Sequence, residues 1–156
     1  SIPVNGVFTD RQRAVYNAVY RVLQEARALL VPGNTLDEYN KEVGKIMESE
    51  LISLGLLNRE EVANQAEGKP AYKKFFMHGA SHHLGLDVHD LCLRYEPFRA
   101  GMVFTCEPGI YIPDENLGIR LENDILITDE GPVDLFAGIP IEAEEIEELM
   151  QSAVTA

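Results

Sequence analysis

All four histidines of the chain fall within twelve residues, from His78 to His89, and two glutamates in apolar runs, Glu107 and Glu122, follow them. Histidine is an uncommon residue, so a random placement of four would rarely concentrate them in this way. The segment is also internal and interleaved with apolar residues, unlike a terminal tag. Because neutral imidazole is the commonest metal ligand, the grouping favours a metal site over four unrelated core or surface histidines.

The candidate ligands are His82, Glu107 and Glu122, which offer one nitrogen and two carboxylate groups. This mixture suits manganese, cobalt, zinc or ferrous iron better than calcium, and three such ligands can hold a metal with open positions. Glu107 interrupts an apolar strand and is followed by Pro108 and Gly109, which end strand pairing. A carboxylate in that setting needs a cation or a hydrogen-bond donor.

The spacing of the histidines indicates a loop rather than a helical metal site. His78 and His82 are four residues apart, but Gly79 follows His78, so the HExxH pattern of helical zinc sites is absent. His82 and His89 would face opposite ways along a straight strand. A bend at Gly85 would let both reach one cleft.

A second charged group is predicted on one strand face, where alternation places Arg120, Glu122 and Asp124 together. The opposite face is apolar and is expected to point to the core. An ordinary exposed ion pair, which contributes little to stability, is the alternative interpretation of Arg120 and Glu122.

The elements that position these residues begin with two amphipathic helices. Residues 9–12 and 35–38 have the composition of capping boxes; the first helix is expected to stop at residues 32–34 and the second near Gly55, with a short third helix from Asn58. The first carries an apolar stripe at three- and four-residue spacing, formed by Ala14, Val15, Ala18, Val19, Val22, Leu23, Ala26, Leu29 and Leu30.

Strand-like periodicity follows the helices. We predict strands over residues 101–106 and 110–112, one strand across residues 119–127, a last short strand over 133–136, and a terminal helix over 141–150. Helices followed by mostly antiparallel strands indicate an α+β domain.

The composition limits the function classes. A chain of 156 residues is the size of one domain, and its net charge of −13 disfavours nucleic acid and anionic membranes as partners. No apolar run approaches the roughly 20 residues of a membrane-spanning helix. The only cysteines, Cys92 and Cys106, form no CxxC pair, which favours a reducing, cytoplasmic setting.

Three ordered motifs carry a family resemblance: His-Gly-Ala-Ser-His-His-Leu-Gly-Leu-Asp-Val-His-Asp at 78–90, Gly-Met-Val to Glu-Pro-Gly-Ile-Tyr at 101–111, and Gly-Ile-Arg-Leu-Glu-Asn-Asp at 118–124. Together they resemble the dinuclear metallopeptidases of the pita-bread (creatinase/aminopeptidase) fold, most closely the Xaa-Pro aminopeptidases, with the proline dipeptidases next. The two amphipathic helices and residues 141–150 also agree, so the resemblance covers nearly the whole chain.

The resemblance implies two divalent cations, typically manganese with cobalt or zinc as alternatives, and cleavage of the bond before a proline in the second position of a peptide. His82 and Glu107 would then bind one metal and Glu122 would bridge both. Glu107 would also act as acid and base.

The resemblance also assigns residues that do not bind metal. It implies that His78 and His89 contact the substrate and stabilise the tetrahedral intermediate, and that Arg120 orients the site. Proline-containing peptides are the implied partners.

The family pattern includes two aspartate ligands on a hairpin upstream of a segment like residues 1–6, and neither is in this sequence. We therefore expect residues 1–156 to be the C-terminal part of a catalytic domain, without that hairpin or an N-terminal domain. Alone, the chain is expected to be inactive, to bind metal weakly or not at all, and to self-associate as a homo-oligomer through an unpaired sheet edge. A proline dipeptidase and a non-catalytic module that binds peptides or proteins remain open as alternatives.

Overall fold

The computed structural model describes residues 1–152. The chain folds as an α+β unit, as predicted. Its helices are α1 (Asp10–Ala28), α2 (Leu36–Ser53), the short α3 (Arg59–Ala63) and α4 (Ala143–Ser152). Two 3-10 helices span Ala71–Lys74 and Pro113–Glu115. No helix among the described residues is long and apolar enough to cross a membrane.

The helix starts follow the capping patterns of the sequence. The Thr9 hydroxyl accepts a hydrogen bond from the Gln12 amide while the Gln12 side chain accepts one from the Thr9 amide, which is a complete capping box. At α2 only the first half of the box forms, because the Thr35 hydroxyl donates to the Glu38 carboxylate instead. The predicted third helix is confirmed, with a capping box on Asn58.

The helix ends and the apolar stripe need correction. Helix α1 ends at Ala28, before residues 32–34, because the Asn34 amide caps the Leu29 carbonyl at 3.0 Å and Leu30 turns into the core. Ala14, predicted to belong to the buried stripe, is exposed. Helix α4 begins at Ala143, two residues later than predicted.

The strands are β1 (His83–Leu84), β2 (Val103–Cys106), β3 (Gly109–Ile112), β4 (Leu117–Arg120), β5 (Asn123–Thr128) and β6 (Gly131–Asp134). They form two antiparallel sheets, one in the order β1-β2-β5-β6 and one made of β3 and β4. The last strand therefore starts earlier than the predicted 133–136. It ends at Asp134 because the carboxylate of Asp134 accepts the Phe136 amide and turns the chain.

The single strand predicted across residues 119–127 is wrong in one respect. It divides at Leu121 and Glu122 into β4 and β5, which belong to different sheets. The alternation of buried and exposed residues nevertheless continues through the break.

Helix α1 lies at the centre of the molecule and contacts α2, α4 and strands of both sheets. The core is apolar and contiguous. Two polar features attach α4 to α1: the Tyr16 hydroxyl donates to the Ile141 carbonyl at 2.7 Å, and the Arg13 guanidinium pairs with Glu144 and Glu147. The helical layer thus packs on the apolar face of the sheets, opposite the face that carries Arg120 and Glu122.

Candidate active site

Two carboxylates lie at the same level of two neighbouring strand pairs. Strand β2 pairs with β5 so that Cys106 faces Asn123, and β3 pairs with β4 so that Gly109 faces Arg120. The two ladders share one register, and between them the Leu121 amide donates to the Pro108 carbonyl at 3.2 Å. This register places Glu107 opposite Glu122, at the point where the chain passes from one sheet to the other.

The Arg120 guanidinium joins these two carboxylates. Its Nη1 lies 3.4 Å from Oε2 of Glu107, and its Nη2 lies 3.0 Å from Oε2 of Glu122. Like charges that face each other across a ladder destabilise a sheet. Arg120 supplies the cation that offsets this repulsion, so it is more than an isolated surface ion pair.

His82 approaches the same carboxylate from strand β1's side of the sheet. Its Nε2 lies 3.6 Å from Oε1 of Glu107, and the two side chains are 19% and 12% exposed. The Nδ1 atom is 3.1 Å from the His83 carbonyl. Because a carbonyl only accepts, Nδ1 carries the proton, and in the neutral ring the Nε2 lone pair faces the carboxylate. Two electron-rich atoms so placed suit a cation between them.

Thr105 fixes the separation of His82 and Glu107. Its hydroxyl accepts the His82 amide at 3.1 Å and lies 3.5 Å from Oε1 of Glu107. The Thr105 amide in turn donates to the His82 carbonyl, and the Glu107 amide donates to the Ala80 carbonyl. Residues 80–82 therefore continue the pairing of β1 with β2 up to the carboxylate.

The other two candidate histidines flank this group. The His89 ring stacks on the His82 ring, with centroids 4.1 Å apart and planes 12° apart, so the chain does bend between them. The His78 ring donates from Nδ1 to the Gly79 carbonyl at 2.7 Å, and its Nε2 accepts from the Tyr111 hydroxyl at 2.9 Å.

Tyr111 is a site residue that the sequence analysis did not single out. Besides contacting His78 through its hydroxyl, Tyr111 has its pKa raised by burial, an effect that the positive charge of Arg120 opposes and the negative charge of Glu107 reinforces. The ring needs two glycines beside it. A Cβ at Gly109 would lie 2.9 Å from the Tyr111 hydroxyl, and one at position 118 would lie 3.1 Å from the ring. The sequence signal that was available is one glycine two residues before the tyrosine and a second glycine opposite it across the hairpin.

Asp124 is the third acidic side chain near the group. Burial raises its pKa, and the negative charge of Glu122 raises it further. Asp124 therefore lies close enough to Glu122 to interact with it electrostatically. Across residues 1–152, however, no three His, Cys, Asp or Glu side chains are arranged closely enough to hold a metal ion. His82 and Glu107 fit a divalent cation in donor type and in mutual approach, whereas Glu122 is held by Arg120.

Comparison with known proteins defines the class. A model of Metallopeptidase family M24 matches residues 1–129. The chain belongs to this metallopeptidase family. Its helices and antiparallel sheets are those of the pita-bread fold, as predicted from the motifs.

The similar proteins include the Xaa-Pro aminopeptidase of Escherichia coli strain K12, which is 42% identical over 165 aligned residues. That alignment covers 98% of this chain and 37% of the relative, so the chain spans little more than a third of the relative's length. Two solved structures of Escherichia coli aminopeptidase P also match. The complex with the inhibitor Pro-Leu has a TM-score of 0.86 at 41% identity, covering 99% of this chain and 37% of that one. A zinc-substituted form in complex with product has a TM-score of 0.85 at 42% identity, covering 97% and 37%.

Proposed function

We propose that the protein carrying this chain is a metal-dependent aminopeptidase that releases the N-terminal residue from peptides with proline in the second position. We also propose that residues 1–156 form the C-terminal part of its catalytic domain. The observation that carries the proposal is the approach of His82 Nε2 to the Glu107 carboxylate, with Glu122 opposite Glu107 in the shared register. The Xaa-Pro aminopeptidases that share its family and fold support the same reaction.

The proposed metal ligands are His82, Glu107 and Glu122, with Glu122 as the bridging carboxylate. The metals, of which manganese is the first candidate and cobalt or zinc the next, would activate water and polarise the scissile carbonyl. The zinc-substituted form of Escherichia coli aminopeptidase P supports zinc as one of the candidates. Glu107, whose Oε1 lies 3.6 Å from His82 Nε2, is also proposed to act as acid and base.

The remaining site residues are proposed to contact the substrate or to hold the ligands. His89, which stacks on His82, and His78, which contacts Tyr111, are proposed to bind the peptide and stabilise the intermediate. Arg120 is proposed to position Glu107 and Glu122. Because Arg120 pairs with both carboxylates, a metal must compete with it, and we expect this chain alone to bind manganese weakly.

A cytoplasmic location is part of the proposal. It is supported by two cysteines, Cys92 and Cys106, that are both free thiols.

The test uses the longer protein that carries this chain, with manganese added, and follows release of the first residue from an Xaa-Pro-Xaa peptide. Glu122→Gln should abolish release, because an amide cannot replace a bridging carboxylate. Glu130→Gln, on an exposed glutamate in the turn between β5 and β6, should leave it unchanged. Absence of manganese-dependent release from the wild-type protein would refute the proposal.

Substrate length separates the alternatives in the same assay. A proline dipeptidase would hydrolyse Xaa-Pro dipeptides and reject tripeptides, whereas the proposed enzyme cleaves the longer peptides. A non-catalytic binding module would retain the peptide without releasing a residue.

A further inference from the structure

A lysine side chain lies at the rim of the candidate site. Lys73 belongs to the 3-10 helix Ala71–Lys74, and its Nζ donates to the His78 carbonyl at 3.1 Å. The same ammonium lies over the rings of Tyr72 and Phe76, 5.3 Å and 5.7 Å from their centroids. The Phe76 ring in turn contacts the His78 ring at 4.8 Å. The backbone of His78 and the aromatic residues therefore hold this cation beside a histidine proposed to bind peptide.

The charge of Lys73 has no carboxylate partner. Among residues 1–152 it forms no ion pair, although the chain as a whole carries a net charge of −13. Arg94 is near enough that, after burial, its positive charge is the second factor lowering the pKa of Lys73. Arg94 itself pairs with Asp37 at 3.0 Å. Asp37 thus offsets the charge of Arg94 while the charge of Lys73 is not offset, which leaves a positive excess at this rim.

We propose that Lys73 binds a carboxylate of the peptide, on the part of the peptide that follows the cleaved bond. This inference rests on the proposed function and adds a specificity-determining residue to it. The residue that an aminopeptidase releases carries the terminal ammonium, which a lysine repels. The remaining part of the peptide carries the carboxylates, either at its C-terminus or on an acidic side chain.

The expected effect is moderate because the Lys73 head group is exposed. Exposed ion pairs change an equilibrium by a factor of roughly 2 to 5. A peptide with a free C-terminal carboxylate should therefore bind this protein about 2- to 5-fold more tightly than its amide. The preference should shrink at high salt, since exposed charges are screened.

The experiment measures binding, so that it does not depend on turnover. Titration calorimetry compares three uncleaved ligands, Pro-Leu, Pro-Leu amide and Pro-Glu amide, on the wild-type protein and on Lys73→Gln. Lys74→Gln is the matched control, because Lys74 is the adjacent lysine and also lies over an aromatic ring, that of Phe75, at 5.0 Å. Lys73→Arg is the conservative variant and should keep the preference.

The proposal expects that Pro-Leu binds more tightly than its amide, and that Lys73→Gln but not Lys74→Gln removes this difference. Tight binding of Pro-Glu amide would identify an acidic side chain as the source of the carboxylate, and its weak binding would identify the C-terminus. The inference would be overturned if the wild-type protein bound Pro-Leu and its amide with equal affinity, or bound none of the ligands. It would also be overturned if Lys73→Gln kept the full difference in affinity, or lost affinity for Pro-Leu and its amide equally. Persistence of the acid preference in a protein that releases no residue would instead overturn the proposed function alone.

Discussion

The Asn40 side chain attaches the histidine segment to helix α2, and its removal should be costly. Its Oδ1 accepts the amide of Ala80 at 2.9 Å, and its Nδ2 donates to the Leu36 carbonyl at 2.8 Å. Ala80 is 1% exposed, so water cannot readily replace the lost acceptor. The carbonyl of Ala80 also accepts a hydrogen bond from the Glu107 amide. One asparagine thus supports the chain between His78 and His82.

The magnitude follows from the burial of the Ala80 amide. In Asn40→Ala the buried N–H loses its partner, which costs about 1–3 kcal/mol. For a chain of this size each kcal/mol corresponds to roughly 2–4 °C in melting temperature. In Asn40→Asp the side chain keeps an acceptor for Ala80 and loses only the bond to Leu36, so a smaller decrease is expected. Lys41→Ala, on the exposed neighbour, should be close to wild type.

Two measurements check this prediction. Urea denaturation gives the free energy of unfolding, and hydrogen exchange reports the protection of the Ala80 amide. We expect Asn40→Ala to unfold at lower urea and its Ala80 amide to exchange faster, with weaker manganese binding because His82 is less well held. An unchanged free energy of unfolding together with undiminished protection of Ala80 would show that Asn40 does not anchor the segment.

Three further substitutions and one control substitution test the fold. Ile125→Ala removes a fully buried core side chain and should lower the free energy of unfolding by about 2–5 kcal/mol in urea denaturation. Gly101→Ala should cost about 1–2 kcal/mol in the same assay because φ is +91° there, whereas Gly138→Ala, which has open space and no positive φ, should be neutral. Hydrogen bonds from Arg13 and the Phe8 amide hold the pKa of Glu147 below its usual value, so its stabilising effect is present above the unfolded-state pKa near 4.5 and is lost as pH falls through the lower folded value. Glu147→Gln should therefore reduce the melting temperature at neutral pH and flatten its decline in acid, and an identical acid profile would contradict this.

The helices were predictable because their starting signals are local. The capping box at α1 joins Thr9 to Gln12, and the one at α3 joins Asn58 to Glu61, so each signal lies within four residues. The end of α1 was not predictable from Pro32 and Gly33, since the helix stops where the Asn34 side chain reaches back to a carbonyl. That capping contact depends on the loop conformation, which composition does not specify.

The division of the long strand could not be read from alternation. Leu121 and Asn123 are buried while Arg120 and Glu122 are exposed, as period two requires. A break in the ladder changes which strands are neighbours without changing which face is buried. Pro108, which lacks an amide proton, lies between β2 and β3 at this level and was the sequence signal for the break.

The candidate site was predicted in its charged residues and missed in its supporting ones. His82, Glu107, Glu122 and Arg120 are of types that need partners when partly buried, so their pattern is informative by itself. Asn40, in contrast, is a polar residue on a helix whose partner lies far along the chain. A single sequence does not show that Asn40 contacts a residue so distant along the chain.

The shared register of the two ladders gives the physical reason that the separate motifs form one site. Strand β2 pairs with β5 and β3 pairs with β4, and both pairings follow a single register. Glu107 and Glu122 must therefore lie opposite each other whenever these strands pair. The fold thereby forces two carboxylates together before any metal is bound. A cation is then required at that level of the sheet, and Arg120, two residues before Glu122 on the same face, is the one that this chain supplies. Under the proposed function, metal binding at this position would consequently be an exchange of one cation for another.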